Sequence, residues 1–212
     1  GLEAGNKKDA IAATVAKKMN AEGVAVVLVD YRLSPNATYP AYIDDAAASV
    51  AFVHREIAKY GGSPERLFVS GHSAGGYLTA MVGLDPQYLK RYGMKTEEIA
   101  GLMPVSGQMI THSTVREERG IPREKPRMDE AAPTYHVRAD APPCLSIVGS
   151  NDMAARAEEN RYFVAAMKAA GHRDVTYFEV EGRDHGSIAS KIGEDNDPVA
   201  NAMLDFIKRV AP

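Results

Sequence analysis

The sequence is poor in cysteine, in excess charge and in long apolar runs, and each shortage removes a class of protein. A single cysteine among 212 residues, Cys144, excludes an intramolecular disulfide. It leaves the compartment open, because many secreted proteins also lack disulfides. That cysteine stands at the head of the apolar run 144–148, which reads as a buried structural thiol rather than a nucleophile. A formal net charge of −3 gives no electrostatic basis for a nucleic-acid partner. No apolar stretch approaches the ~20 residues that span a bilayer, and neither an internal repeat nor a low-complexity linker interrupts the chain. Residues 1–9 contain no initiator methionine and no signal-peptide pattern. What is present is ordinary for a soluble globular protein, 45% hydrophobic and 25% charged, and long enough for one sizeable α/β domain.

Hydrophobic spacing supplies the elements. Continuous apolar runs of strand length occur at 24–30, 67–70, 99–105, 145–148 and 175–180, and such runs suit parallel strands covered on both faces. Between them the 3.6-residue period predicts helices. One covers 9–22, with Ile11, Val15, Lys18 and Met19 on one face. The next follows Tyr39-Pro40, with Ile43, Ala47, Val50, Val53 (or His54) and Ile57 as its stripe. Others start at 77, near 86–98 in a polar stretch, and at 154–170, with Phe163, Val164 and Met167 inward. Asp197-Pro198 reads as the N-cap and first residue of a last helix, whose apolar face is Val199, Met203, Phe206 and Val210. Residues 106–143, with five prolines, read as loops and short helices over one end of the sheet, and the cluster Arg116-Glu117-Glu118-Arg119 as a solvated face. Alternating strands and helices give one doubly wound α/β domain over residues 1–212, its sheet mainly parallel and flanked by helices. Ligands of such sheets sit at the carboxyl ends of the strands. The loops to search are those after Asp30, at Ser73, at Ser106-Gly107, at Asp152 and at His185.

The run Gly71-His72-Ser73-Ala74-Gly75-Gly76 lies between a strand and a helix. G-x-S-x-G in that setting is a nucleophile elbow: the serine sits on a sharp turn, so Gly71 and Gly75 are expected to let strand and helix approach closely. A serine hydroxyl needs a base within hydrogen-bond reach, and the base needs an orienting carboxylate. Of six histidines, only His185 follows the carboxyl end of a late strand. His54 lies on a helix, His72 on the elbow, His112 and His136 in the irregular region, and His172 at the opposite end of the sheet. For the acid, Asp152 follows the fourth apolar run and falls between Ser73 and His185 in sequence. Its rivals are Asp140, at the wrong strand end, and Asp184, adjacent to His185.

The order Ser, Asp, His, with the elbow, resembles α/β-hydrolases of the esterase/lipase superfamily, near the hormone-sensitive-lipase-like and bacterial carboxylesterase families. The resemblance also rests on Asp30-Tyr31-Arg32-Leu33-Ser34-Pro35, on Tyr39-Pro40 and on Asp44-Asp45. It implies an α/β-hydrolase fold and hydrolysis of carboxylic esters with short acyl chains. It further implies a small-molecule substrate and neither metal nor cofactor. The implied roles are nucleophile for Ser73, base for His185, orienting acid for Asp152 and one oxyanion donor in the Ala74 N–H. Arylformamidases and some serine peptidases share the fold and triad, so amide or formamide hydrolysis is the alternative, and a non-catalytic binding module of the same fold is a third. The family's H-G-G-G loop, which precedes the strand ending at Asp30, has no match here. Gly1-Leu2-Glu3 resembles the end of that loop, and five strands are fewer than the family's usual number. The resemblance therefore implies that the domain is N-terminally incomplete, with about 50–80 residues upstream. The pattern names no substrate-binding residues within 106–143, the expected substrate-covering region.

Overall fold

The apolar runs at 67–70, 99–105, 145–148 and 175–180 form four strands of one sheet, β1 (Phe68–His72), β2 (Gly101–Val105), β3 (Cys144–Asn151) and β4 (Val175–Asp184). The structure, a computed structural model, describes residues 1–211. All neighbouring strands are parallel and their spatial order is their sequence order. Parallel neighbours require crossovers, and helices supply them. Helices α1 (Ala10–Ala21) and α2 (Ala41–Glu56) precede the sheet, and α3 (Ala74–Leu84) and α4 (Pro86–Lys90) link β1 to β2. After the short α5 (Ser113–Glu118), α6 (Arg156–Ala169) links β3 to β4, and α7 (Ser187–Ser190) and α8 (Pro198–Val210) close the chain.

Side chains alternate across the strands, so the sheet carries a core on each face. Leu102, Cys144 and Val175 point to one core, with Ile43 of α2, Tyr77 and Met81 of α3, and Phe163 and Met167 of α6. Met103, Val105, Leu145 and Ile147 point to the other, with Met19 of α1, Ile188 of α7, and Val199, Met203 and Phe206 of α8. Cys144 is buried as expected, and burial pushes its thiol up to about 12, so it stays protonated. Asp197 caps α8 through the Ala200 N–H at 2.9 Å, and its other oxygen accepts Arg183 Nη2 at 2.7 Å. Among the described residues no helix is long and apolar enough to cross a membrane.

Three sequence expectations need correction. Residues 24–30 do not join the sheet. β1 pairs with β2 alone, and the 24–30 run has no ladder partner among the described residues. An apolar run without hydrogen-bonded neighbours is not a strand, whatever its composition. Its side chains keep the two-residue alternation, Val24 and Val26 against the second core and Val27 and Val29 exposed, so it is covered on one face only. Its flanks are tied down by Val24 N–H to the Met19 carbonyl at 3.0 Å and by Lys7 N–H to Asp30 at 2.6 Å. The second correction concerns the polar stretch 86–98, which is helical only over Pro86–Lys90 and, as a tight turn, over Thr96–Glu98.

The third concerns the cluster at 116–119, which is a solvated face only in part: Glu117 and Arg119 are exposed, whereas Arg116 and Glu118 turn inward. Arg116 is buried, and its guanidinium donates to the carbonyls of Lys125 (3.0 Å) and Arg123 (2.5 Å). Glu118 accepts the Tyr39 N–H at 2.8 Å and the Tyr42 hydroxyl at 3.3 Å. Long charged side chains in a segment with little regular structure satisfy its stray backbone groups. The motif residues upstream are clamps of the same kind. Arg32 pairs with Asp45 (Nη2 to Oδ1, 2.7 Å) and Arg91 with Asp44 (2.8 Å).

Two stability outcomes follow. A Cβ at Gly76 would fall 2.8 Å from Gly107 Cα and 2.9 Å from the Val105 carbonyl oxygen, whereas one at Gly75 meets nothing within 4 Å. Gly76→Ala is expected to lower stability by about 1–3 kcal/mol, and Gly75→Ala to be neutral or stabilising, as thermal unfolding will read. His112 is buried beside the Tyr77 ring at 5.1 Å, and burial, then the charge of Arg156, pushes it down to about 3. An unfolded histidine titrates near 6.5. Between those values the unfolded chain binds a proton that the folded chain does not, so this stability is complete above about 6.5 and is lost as pH falls toward 3. Denaturant midpoints at about pH 7 and about pH 4.5 should lie closer together in His112→Phe than in the parent chain.

Candidate active site

Ser73 stands between the last residue of β1 and the first of α3, with φ 58° and ψ −116°. Its N–H donates to the Val105 carbonyl at 2.9 Å, and its own carbonyl accepts the Tyr77 N–H at 3.1 Å. The turn is thus stitched to β2 on one side and to the first helical turn on the other. Small residues permit this, though not the pair expected. A Cβ at Gly71 would fall 2.5 Å from the Gly75 carbonyl carbon, so Gly71 is required, but Gly75 has open space around its own Cβ position. The second tight contact is Gly76 against Gly107, which packs the start of α3 on the chain leaving β2. The Ala74 N–H belongs to the first turn of α3, whose amides have no intrahelical acceptor.

His185 follows β4. The loop is shaped by Asp184, whose Oδ1 accepts the N–H groups of Gly186 (3.0 Å) and Ser187 (2.7 Å), so this rival carboxylate serves its own turn. Asp140, the other rival, pairs with Arg138 at 2.7 Å. The His185 carbonyl accepts His72 Nε2–H at 2.7 Å, which ties the loop to the residue next to Ser73. Burial, then the neighbouring His185, pushes His72 down to about 4, so it is a neutral donor near neutral pH.

Asp152 follows β3. The β3–β4 register shifts between Gly149 and Asn151, where a Cβ on Gly149 would fall 2.1 Å from the Arg183 carbonyl oxygen. An irregularity of this kind re-aims the strand end, and here it lies just before Asp152 and His185. The Asp152 side chain is 1% exposed. Burial acts to raise its pKa, but hydrogen bonds from His185, from Ser106 and from the Met153 N–H outweigh it and hold the carboxyl below its ordinary range.

The three chosen side chains form one line. Ser73 Oγ lies 2.8 Å from His185 Nε2, and His185 Nδ1 lies 2.7 Å from Asp152 Oδ1. With Nδ1–H donating to the carboxylate, Nε2 is left to accept the serine proton. A hydroxyl, a neutral imidazole and a buried carboxylate in series can move a proton from oxygen to nitrogen with a compensating charge behind. The remaining histidines have other partners: His54 near Glu98 (3.8 Å), His136 on the Glu130 carbonyl (2.8 Å) and His172 on the Ala141 carbonyl (2.8 Å).

Sequence reasoning assigned no role to Ser106, whose hydroxyl donates to Asp152 Oδ2 at 2.5 Å, or to Arg156, whose Nη1 donates to the Ser106 carbonyl. The available signal was positional: Ser106-Gly107 stands at the carboxyl end of a strand. A cavity of about 460 Å³ lies among Glu3, Ser34, Pro35, Thr114, Glu117 and Glu118, and none of Ser73, His185 and Asp152 lines it.

Comparison with known proteins places the fold. The family model for the alpha/beta hydrolase fold matches residues 2–189. The chain is 30% identical to Esterase LipC of Mycobacterium tuberculosis over 92% of its own length and 53% of that protein. It is 29% identical to Esterase LipQ of the same organism, over 87% of its own length and 48% of that protein. It therefore spans about half the length of the curated relatives it matches. Among solved structures, a truncated carbohydrate esterase from gut microbiota superposes with a TM-score of 0.82 at 21% identity, covering 98% of this chain and 81% of that one. A thermophilic esterase of Thermogutta terrifontis superposes with a TM-score of 0.73 at 22% identity, covering 100% and 80%. A strand–elbow–helix serine on a parallel sheet, matched by the family model over most of its length, makes this chain a member of the α/β-hydrolase-fold family.

Proposed function

We propose that the protein hydrolyses carboxylic esters, preferring short acyl chains, through an acyl-enzyme on Ser73. The observation that carries the reading is the unbroken line from Ser73 Oγ through both nitrogens of His185 to Asp152, at 2.8 and 2.7 Å. The esterase names of relatives that match most of this chain support it.

The steps use groups already described. Ser73 Oγ attacks the ester carbonyl carbon while its proton passes to His185 Nε2. The carbonyl oxygen takes the negative charge and accepts the Ala74 N–H. The ester C–O bond then breaks, and the departing alkoxide leaves as alcohol with the proton from Nε2. Water, deprotonated by the same nitrogen, attacks the acyl carbon, and Ser73 recovers its proton as the acid leaves. Asp152 holds the Nδ1–H tautomer throughout and offsets the imidazolium charge. Residues 1–212 act as one domain in this reading, with 106–143 covering the substrate.

Ser73→Ala is expected to lower kcat for p-nitrophenyl acetate by about 10³-fold or more, with the circular-dichroism spectrum unchanged. Retention of activity in that variant contradicts the assignment. The choice of acid has its own check. Asp152→Asn should cost about 10²–10⁴ in kcat, while Asp184→Asn and His172→Gln stay within about threefold. A large loss in Asp184→Asn with a small one in Asp152→Asn would reverse the roles. Ester preference is read by comparing p-nitrophenyl acetate and butyrate with an N-formyl arylamine. Faster turnover of the formamide would make the protein an amidase of the same mechanism.

A further inference from the structure

We propose that Ser106 is a positioning residue for this hydrolysis: its hydroxyl pins one oxygen of Asp152 so that the other stays on His185. The proposal rests on the reading of Ser73, His185 and Asp152 as the reacting line.

A carboxylate on a short side chain turns readily about its last torsion, where preferences are broad. In this site it is held from three directions. Oδ1 accepts His185 Nδ1–H at 2.7 Å and the Met153 N–H at 2.6 Å, and Oδ2 accepts the Ser106 hydroxyl at 2.5 Å. The Asp152 side chain is almost wholly buried, so no solvent stands ready to replace a lost donor on Oδ2. Ser106 is itself fully buried and rigidly seated. Its N–H donates to the Ile147 carbonyl at 2.7 Å, its carbonyl accepts Nη1 of the buried Arg156, and the Gly107 that follows is packed against Gly76.

The backbone separates a functional reason from a structural one. Ser106 has φ 50°, in the left-handed region that favours glycine. A glycine there would fit without strain, and the serine adds only its Cβ and hydroxyl. Among the described residues the hydroxyl's hydrogen-bond partner is Asp152. Strain held at such a position, with its side chain aimed at the reacting groups, is the pattern of a residue kept for chemistry. The titratable groups that interact with the Asp152 charge are His185 from the loop after β4, His72 at the end of β1, Asp184 at the end of β4 and Arg156 from α6. Among these groups only His185 also donates to the carboxylate.

The test uses the full chain and two substitutions that remove the same hydroxyl with different effects on the backbone. Ser106→Gly suits φ 50°, and Ser106→Ala keeps the strain. Both should lower kcat for p-nitrophenyl acetate by about 10-fold, the share of one charge-assisted hydrogen bond, with KM within about twofold and Ser106→Gly the more heat-stable of the two. In an Asp152→Ala background, where there is nothing left to pin, adding Ser106→Gly should change the residual kcat by less than about twofold. Unchanged kcat in both single variants overturns the proposal, as does a loss of equal size in the Asp152→Ala background or a loss confined to the less stable variant. Ser73→Ala keeps the two levels apart. If it stays active, the underlying reading fails. If it is inactive while Ser106→Gly matches the parent chain, the role of Ser106 alone fails.

Discussion

The site depends on how closely α3 can approach the ends of β1 and β2. Gly71 against the Gly75 backbone and Gly76 against Gly107 set that approach, and a Cβ at Gly71, Gly76 or Gly107 would push it apart. With the helix drawn in, the chain between β1 and α3 has one residue in which to turn. Ser73 takes up the turn at φ 58°, stitched by its N–H to Val105. Backbone in so sparsely populated a region costs on the order of 1–3 kcal/mol and persists only where its surroundings over-determine it. Here they do, because moving Ser73 would break a sheet–elbow bond and the first bond of a helix buried at every residue but Gly75.

The sheet then turns a sequence problem into a geometric one. Parallel strands in sequence order place the exits of β1, β2, β3 and β4 side by side at one end. Groups far apart in the chain therefore meet: Ser73, Ser106, Asp152 and His185, one from each exit. His72 shortens the connection further. Its bond to the His185 carbonyl fastens the His185 backbone to the residue beside Ser73, so the spacing between Ser73 and His185 is set over a few covalent bonds rather than over the whole sheet. Behind His185, Arg183 and Asp197 couple the end of β4 to the cap of α8.

Much of this was legible in the residues, for identifiable reasons. Strand-length apolar runs, a serine between small residues and a late strand-end histidine are local signals, and they led to Ser73, Asp152 and His185. The rest was not local. The run at 24–30 has the composition of a strand, but strand identity lies in a hydrogen-bonded neighbour, which composition does not contain. Arg116 looked solvated because charge usually is, yet it satisfies carbonyls in a stretch with few helical or sheet bonds of its own. Gly75 was chosen over Gly76 because the motif marks it, whereas the close contact is made by the next residue and by Gly107, from another part of the chain. Ser106 carried only its position at a strand end; its positive φ and its partner exist only in three dimensions.

The central claim is that the hydroxyl held at this elbow takes up the acyl group. Rapid acid quench of the protein during turnover of p-nitrophenyl acetate, followed by peptide mass spectrometry, reads this directly. The account predicts one added acetyl group, located on Ser73 and absent from the Ser73→Ala variant. An acetyl group on any other residue, or continued p-nitrophenol release by Ser73→Ala at the parent rate, would contradict it.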